Sequence, residues 1–495
     1  MKNKLIGIDI GTTGCKVSLF SLKEKLLAHY KEDYPTYTTL ENTSEQNALD
    51  WWRIASSGIR DVLHKESISG SEIAAIGLSC MTPVLLPVDT MGNPLCNAHI
   101  WSDRRADNIV PELEQCYGKE NFHKRTGNML KAGYLLPKLY WQMINQKQIY
   151  DAAASYLQVD GYIALRLTGQ RSMNKSHCEL TGLNLLPSGS WLDEVVSLFK
   201  LDPHKLPEIT ETGSIIGYTL DGLEKECGLP AGIPVVSGGH DSALSSFALG
   251  ISKPGDACLD IGNASNLVMC TDKTIRCKEA DFYRHPIQGI WLFQIYSATT
   301  GGAFRWLRNI LDMPVPGTVD FSRLTKIAEA ASPGCKELIF LPYFCGSQFA
   351  DNSKAAWYGL MLDHGLNEMV RAVMEGCALS IRLNMETMEQ ASNVEIRTII
   401  ATGGGTIDEF WMQIHADILR RPLKVRSITN AAVFGAAMLA RQTVFGIPYQ
   451  PEFSDEKTFI PDRTYQDIYN RNFRLYKECL ANAPKIRDKD QEHSL

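Results

Sequence analysis

Gly7-Ile-Asp-Ile-Gly11-Thr-Thr-Gly-Cys-Lys-Val-Ser-Leu-Phe20 runs from a buried-type strand through a small-residue turn and back into an apolar stretch. Cys258-Leu-Asp-Ile-Gly262-Asn-Ala-Ser-Asn-Leu-Val-Met269 repeats that pattern. Setting Asp9-Ile10-Gly11 on Asp260-Ile261-Gly262 spaces the two copies by about 250 residues, enough for one domain each. The expected fold is α/β, with two related lobes that could close on one phosphorylated ligand. Gly11 lets the backbone turn sharply and approach a ligand, and the Thr12 and Thr13 hydroxyls add donors beside exposed amides, a setting that suits phosphate oxygens. Each turn follows an Asp, and a carboxylate so close to phosphate calls for a divalent cation between them. Mg²⁺ with phosphate ligands fits that place. One Asp-x-Gly alone would be an ordinary strand and turn; the pairing carries the inference.

At 495 residues the chain exceeds what one core fills, so two domains are expected. Its 44% hydrophobic and 21% charged residues are those of a soluble globular protein. A net charge of −6 without a long basic run argues against a nucleic-acid binder. The 13 cysteines form no Cys-x-x-Cys pair and no zinc-spaced cluster with histidine, which points to reduced thiols and a cytoplasmic location. No stretch approaches the roughly 20 apolar residues of a membrane span, and the first apolar run, broken by Asp9 and Gly11, reads as a strand and not as a signal peptide. No membrane partner is expected, and a homodimer is left open.

Along the chain, Leu5 to Ile10 and Val17 to Leu22 read as paired strands, and Ser44 to Lys65 as a helix behind a Ser44 cap. Val84 to Val88 and Leu95 to Trp101 flank a Thr90-Met-Gly-Asn-Pro94 turn and read as a hairpin. Ala231-Gly-Ile-Pro-Val-Val236 leads as a strand into Ser237-Gly-Gly-His-Asp241 and a helix from Ser242 to Leu249. The Lys253-Pro-Gly-Asp256 turn sets the domain boundary at about residues 247 to 256. Beyond it come a helix from Leu366 to Met388, a strand from Thr398 to Ala401, a helix from Glu409 to Leu419 capped by Asp408, and a helix from Asn430 to Val444. The division is 1–247, 256–450 and a helical tail 451–495, whose end from Asp488 is expected to fray.

Three further features carry chemistry. Gly403-Gly-Gly405 between strand and helix allows a flat ring or a phosphate to lie against the backbone. Gly11-Thr-Thr-Gly-Cys-Lys16 is not a P-loop, because Cys15 precedes the lysine and Val17 follows it, and no Gly-x-Gly-x-x-Gly follows the first strand. Asp241, beyond two glycines at the mouth of a helix, can take a proton from an alcohol, although a helix cap explains it equally; His240 reads as structural. Trp101-Ser-Asp-Arg-Arg105 offers an apolar face and directional bonds to a sugar, or a packed Trp beside a surface ion pair.

In this order the pieces resemble the FGGY family of carbohydrate kinases, within the actin and sugar-kinase superfamily of duplicated ATPase lobes. The resemblance spans about residues 4 to 445, through Gly7-Ile-Asp-Ile-Gly-Thr-Thr13, Trp101-Ser-Asp-Arg-Arg105, Gly238-Gly-His-Asp241, Asp260-Ile-Gly262, Thr300-Gly-Gly-Ala303 with Trp306-Leu307, and Gly403-Gly-Gly405 through Gln413-Ile-His-Ala-Asp417. It implies two ribonuclease H-like lobes, the first sugar-binding and the second nucleotide-binding, with an active-site cleft between them, and the use of ATP and Mg²⁺. By position it makes Asp241 the general base that activates a sugar hydroxyl against the γ-phosphate. Asp9 would help hold Mg²⁺ through water, while Thr12 and Thr13 face the phosphates. Gly262 and Asn263 would form the second phosphate turn, and Gly301, Gly404 and Asp408 would surround the adenosine. Met81, Thr82, Trp101, Asp103, Asp241 and Ser242 would line the sugar pocket.

Two departures bear on the acceptor. Xylulose kinases carry Gln-Met-His-Gly and glycerol kinases Gln-Arg-Glu after the strand matching Ala74 to Leu78, where this chain has Met81-Thr82-Pro83; Asn263 stands where the family usually has Thr. Thr126-Gly-Asn128, Gly133-Tyr134 and Pro137-Lys138-Leu139 follow the xylulose-kinase pattern. The expected activity is ATP-dependent phosphorylation of a small ketose or polyol, with a pentulose such as xylulose favoured. The rival reading is an actin- or chaperone-like ATPase switch, whose hydrolysis would ignore sugars. A catalytically silent sugar-binding regulator would not need both Asp9 and Asp241.

Overall fold

The computed structural model describes residues 2–39, 42–312, 317–350, 353–426, 428, 430–453 and 456–483. The expected fraying from Asp488 lies outside them. The chain forms two compact units that do not follow its order: Met1–Ser252, Asp272–Leu292 and Ile428–Pro451 make the first, and Lys253–Thr271, Phe293–Ser427 and Glu452–Leu495 the second.

The first unit is built on a sheet in the order Ile215–Tyr218, Pro234–His240, Ile73–Cys80, Lys4–Ile10, Gly14–Ser21, Leu26–Asp33. The last three strands form an antiparallel meander. Pro234–His240, Ile73–Cys80 and Lys4–Ile10 run parallel, with Ile10 paired to Cys80 and Cys80 to His240. Those strands therefore end together, and in an open α/β sheet ligands gather beyond such ends. Nearly every residue of Lys4–Ile10 and Ile73–Cys80 is buried, because helices cover both faces. On one face lies Ala48–Lys65, whose Trp51, Ile54, Ile59 and Val62 recur at helical spacing. Its cap is Asn47, which accepts from the Leu49 amide, and not Ser44, which lies in a short strand.

The other face is covered by Asp241–Ala248 and by Ala431–Phe445. The second of these was expected in the C-terminal domain. It sits on the first sheet because glycines clear its way: a Cβ on Gly77 would stand 2.0 Å from the Ala436 carbonyl oxygen, and one on Gly7 2.2 Å from that of Val433. Only the absence of side chains there lets helix and sheet come so close.

Read from the opposite edge, the second unit repeats the order with Trp291–Ser297, Ser265–Thr271, Asp256–Ile261, Thr398–Thr402, Leu423–Val425 and Lys457–Phe459, six neighbouring strands of a seven-stranded sheet. Asp256–Ile261 pairs antiparallel with Ser265–Thr271 and parallel with Thr398–Thr402, as Lys4–Ile10 does with its neighbours. Leu366–Ser392 is the long buried helix of this unit. Of the tail expected at 451–495, Lys457–Phe459 is a strand of this sheet and Gln466–Asn482 belongs to the same unit.

The hairpin expected at Val84 to Trp101 is only bridged, at Leu85–His99 and Val88–Pro94. Its strands find longer partners elsewhere, Leu86–Val88 with Ser155–Leu157 and Ala98–His99 with Ser44–Gln46. Propensity placed the strands; tertiary pairing chose their neighbours.

Candidate active site

In the first unit, the shared strand edge assembles most of the residues singled out above. Asp9 lies opposite Lys16 and beside Ser79 in the ladder. The Ser79 hydroxyl donates to Asp9 Oδ1 at 2.8 Å and Lys16 Nζ to Oδ2 at 3.3 Å. Asp9 is buried, and burial pushes its carboxyl above the usual carboxylate value; Lys16 opposes this, while the charge of Asp241 adds to it. The two carboxylates thus share one electrostatic neighbourhood.

The following turn is tight. The Gly11 amide donates to the Gly14 carbonyl at 3.1 Å, and the Tyr34 hydroxyl donates to the Gly11 carbonyl. Thr12 and Thr13 stand at its crest, Thr13 exposed. Trp101 Nε1 donates to Thr12 Oγ1 at 3.0 Å, so the half-exposed indole is anchored to the turn. Met81, at the end of the neighbouring parallel strand, donates its amide to the Ile10 carbonyl at 2.8 Å.

Asp241 opens the helix Asp241–Ala248 directly after Pro234–His240. Its Oδ1 accepts from the Ser242 amide at 2.6 Å, with the Ser242 hydroxyl 3.4 Å away. Oδ2 takes no hydrogen bond among the described residues, and the side chain is 38% exposed. One oxygen is fixed and the other is open to take a proton. His240 caps the helix, its Nδ1 accepting from the Ser242 amide at 3.1 Å, and stacks on Tyr283 with ring centroids 4.9 Å apart. Burial holds its imidazole below the ordinary value, against the pull of Asp241, which fits a structural role.

Three residues expected to line the sugar pocket are placed differently from Trp101. Met81 is in the hydrophobic core, and the buried Thr82 gives its hydroxyl to Gln158. Asp103 has no exposed surface; its oxygens accept from the Ser44 amide at 2.7 Å, the Arg105 amide at 3.1 Å, and Arg105 Nε and Nη2 at 2.9 Å each. Those bonds fill the acceptor capacity of a carboxylate. Burial works against its charge, but Arg105 and the Ser44 amide hold it below the ordinary value. Asp103 therefore braces the Trp101 loop from behind.

The second unit joins its own three turns. The Gly262 amide donates to the Ala264 carbonyl at 2.8 Å, closing a turn equivalent to that at Gly11. Gly301, at the start of the helix Gly301–Asp312, packs so closely that a Cβ would lie 2.1 Å from the Gly262 oxygen, and the Gly302 amide donates to the Asn263 carbonyl at 2.8 Å. Gly403, at φ 92°, lies against Asp260 and Ile261, while a Cβ on Gly404 would meet nothing within 4 Å. Gly301 and Gly302 thus pack on the backbone of Gly262 and Asn263, and Gly403 on that of Ile261, while Gly404 stands clear of other atoms. Asp408 accepts from the Trp411 amide at 3.0 Å and from the Thr325 hydroxyl, and so serves its helix. Beside the Gly301 turn lies a cavity of about 310 Å³, lined by Ser297, Thr299, Thr300, Tyr343 and Asn384 among others.

Sequence reasoning missed the partners that set these groups. Lys16 and Ser79 on Asp9, Arg105 on Asp103 and Lys138 behind the Trp101 loop become visible only through register and packing. Lys16 left a trace, because a strand–turn–strand reading places it across from Asp9; Arg105 stood in the ion-pair reading of Trp101-Ser-Asp-Arg-Arg105 and Lys138 in the Pro137-Lys138-Leu139 pattern, without their partners.

Two copies of one sheet order, each with a glycine turn at the end of the same strand, define the duplicated actin-like ATPase fold of the sugar kinases. The N-terminal domain of the FGGY family of carbohydrate kinases matches residues 4–248, and its C-terminal domain matches residues 264–442. The chain belongs to the FGGY family of carbohydrate kinases and is a phosphotransferase acting on a sugar-type alcohol. It is similar to the xylulose kinase of Lactococcus lactis, 23% identical over 493 residues and 97% of each chain. A gluconokinase of Bacillus licheniformis is 24% identical over 449 residues, 89% of this chain and 87% of that one. The crystal structure of the xylulose kinase from Rhodospirillum rubrum has a TM-score of 0.89 at 26% identity, covering 96% of this chain and 98% of that chain. No described helix is long and apolar enough to cross a membrane.

Proposed function

We propose that this kinase transfers the γ-phosphate of ATP, with Mg²⁺, to a hydroxyl of a pentulose such as xylulose. The observation that carries the reading is Asp241: one oxygen is tied to the helix amide, the other is open, and the group stands at the strand edge that also presents Thr12 and Trp101. Asp241 takes the proton of the acceptor hydroxyl as that oxygen attacks. The Trp101 face receives the sugar C–H groups, and Ser242 borders the same helix mouth. Thr12 and Thr13 present hydroxyls to the phosphates, and the backbone turns at Gly262, Asn263, Gly301 and Gly404 suit phosphate and nucleoside. Phosphoryl transfer asks for such positioning and charge neutralisation more than for covalent chemistry.

Asp9 suits Mg²⁺. Mg²⁺ keeps several waters and is held through one or two carboxylates and the substrate phosphates, so a single Asp at the phosphate turn is enough. A buried carboxylate whose charge is penalised by burial and by Asp241 gains from a nearby cation. When bound, the ion would neutralise phosphate charge. Similarity to xylulose kinases supports a pentulose, and the gluconokinase relative makes gluconate the acceptor to test beside it.

The test is a coupled ADP assay at fixed ATP across D-xylulose, L-xylulose, D-ribulose, gluconate and glycerol, with Asp241→Asn alongside. A ketopentose should give the highest kcat/KM. Asp241→Asn should lower kcat by about 10²–10⁴-fold and leave ATP affinity within about twofold. Normal sugar-dependent turnover by the variant refutes the base assignment; a best rate with gluconate refutes the acceptor.

A further inference from the structure

Lys138 is one of the largest fully buried side chains in the molecule, with no accessible surface. It lies in the first turn of the helix Leu135–Asn145 and forms no ion pair among the described residues. Its ammonium instead donates to three main-chain carbonyls, at 2.7 Å to Ile100, 3.2 Å to His99 and 3.4 Å to Pro83. Ile100 and His99 immediately precede Trp101, and Pro83 immediately follows Met81 and Thr82. The segments of Pro83 and of His99–Ile100, already bridged through the paired amides and carbonyls of Leu85 and His99, thus converge on one cation where they lead to Met81 and to Trp101. The same element grips the loop a second time: a Cβ on Gly133 would lie 2.4 Å from the Trp101 carbonyl oxygen, so the chain entering the helix rests directly on that backbone.

Burying an ammonium without a carboxylate bonded to it is expensive, and core anchoring of this kind needs no charge. Leucine or methionine would fill the volume. An ammonium can satisfy three carbonyls that converge from different directions, which an apolar side chain cannot do.

We propose that Lys138 is a positioning residue for the acceptor sugar: its ammonium sets the distance between the Met81–Pro83 turn and the Ile100–Trp101 turn, and through it the place of the Trp101 ring. The inference rests on the reading of Trp101 as a sugar contact. Loss of the ammonium lets the two turns separate and the indole drift, which weakens sugar binding without touching the nucleotide turns of the other unit.

The electrostatics agree. Burial pushes the Lys138 ammonium down to about 7; Asp103 opposes that shift and Arg105 adds to it. The other groups facing this pocket keep their state near neutrality. Arg105 is held charged by Asp103 and Glu45, and the His99 ring is kept neutral by burial, down to about 3. Raising the pH from 6 to 8.5 therefore removes a proton from Lys138 in the folded enzyme, and the cation that binds the turns becomes a weaker donor.

The experiment measures KM for D-xylulose and for ATP, with kcat, for the intact enzyme and for Lys138→Met, Lys138→Arg and Trp101→Ala, and follows the wild-type KM values from pH 6 to 8.5. Lys138→Met should raise the sugar KM by about tenfold or more, with the ATP KM and kcat within about twofold, the pattern of lost acceptor binding. Lys138→Arg should recover part of that loss, and the wild-type sugar KM should rise with pH while the ATP KM stays flat. An unchanged sugar KM in Lys138→Met together with a raised one in Trp101→Ala overturns the positioning role and leaves the Trp101 reading standing. An unchanged sugar KM in Trp101→Ala overturns both. If Lys138→Met does not fold, Lys138→Gln takes its place, and a sugar KM unchanged from wild type in that variant refutes the proposal.

Discussion

Gly77→Ala tests whether the late helix Ala431–Phe445 truly completes the first unit. A Cβ on Gly77 would stand 2.0 Å from the Ala436 oxygen and 2.5 Å from its carbonyl carbon, where ordinary contact begins at 3.4 Å. The obstacle is backbone on both sides, so no side chain can swing away, and the helix must retreat by about 1.4 Å. A gap of that order forfeits up to half or more of the dispersion attraction along a face carrying Val433, Ala436, Ala437 and Met438, all buried. The cost falls at the upper end of the overpacking range, about 3 kcal/mol. At about 2 °C per kcal/mol for a unit of this size, the melting temperature should fall by about 6 °C. Circular dichroism melts of the intact chain measure it, with Gly404→Ala as the control, since a Cβ there meets nothing and the melt should move by less than about 1 °C. A Gly77→Ala protein that melts with wild type would refute the close helix–sheet contact and the division of the chain derived from it.

Other outcomes are equally open to measurement. Asp9→Asn should raise the Mg²⁺ concentration needed for half-maximal rate by about 10–100-fold, as loss of an outer carboxylate does, and an unshifted Mg²⁺ titration counts against its role. His285 and His415 are fully buried and held neutral by burial, down to about 3 and about 4. Because these folded values lie below the ordinary 6.5, the stability they confer is complete above pH 6.5 and drains away as the pH falls toward 4, while the unfolded chain takes up the protons. His285→Asn should flatten the dependence of stability on pH between 5 and 6 by one proton, about 1.4 kcal/mol per pH unit; a slope unchanged in urea titrations at those two pH values would exclude it.

The duplicated turns were legible because they depend on local rules. An apolar run, then Asp, then glycine gives a strand that must end, and its recurrence gave the number of lobes. The helices Glu409–Leu419 and Leu366–Ser392 were equally local, one announced by the Asp408 cap and the other by a long apolar periodicity. What stayed hidden depends on which surfaces meet. Nothing in Ala431–Phe445 itself says that its small residues lie on the sheet bearing Gly7 and Gly77, so an order-based division put it in the wrong compact unit. Asp103 looked like a sugar ligand because its type suits hydroxyls, yet four donors from Arg105 and Ser44 consume it. Ser44 was read as a helix cap because its type suits that place, whereas Asn47, three residues on, makes the capping bond.

The dependence of the first sheet on residues 431–445 also governs how the polypeptide matures on the ribosome. Leu5, Ala74, Ala75 and Val236 are all synthesised well before the helix Ala431–Phe445 that shelters them. Throughout that interval the nascent chain carries an unclothed apolar sheet face, a standing invitation to chaperones and to aggregation. Premature termination anywhere before Ala431 would therefore strip the cover from a sheet made hundreds of residues earlier.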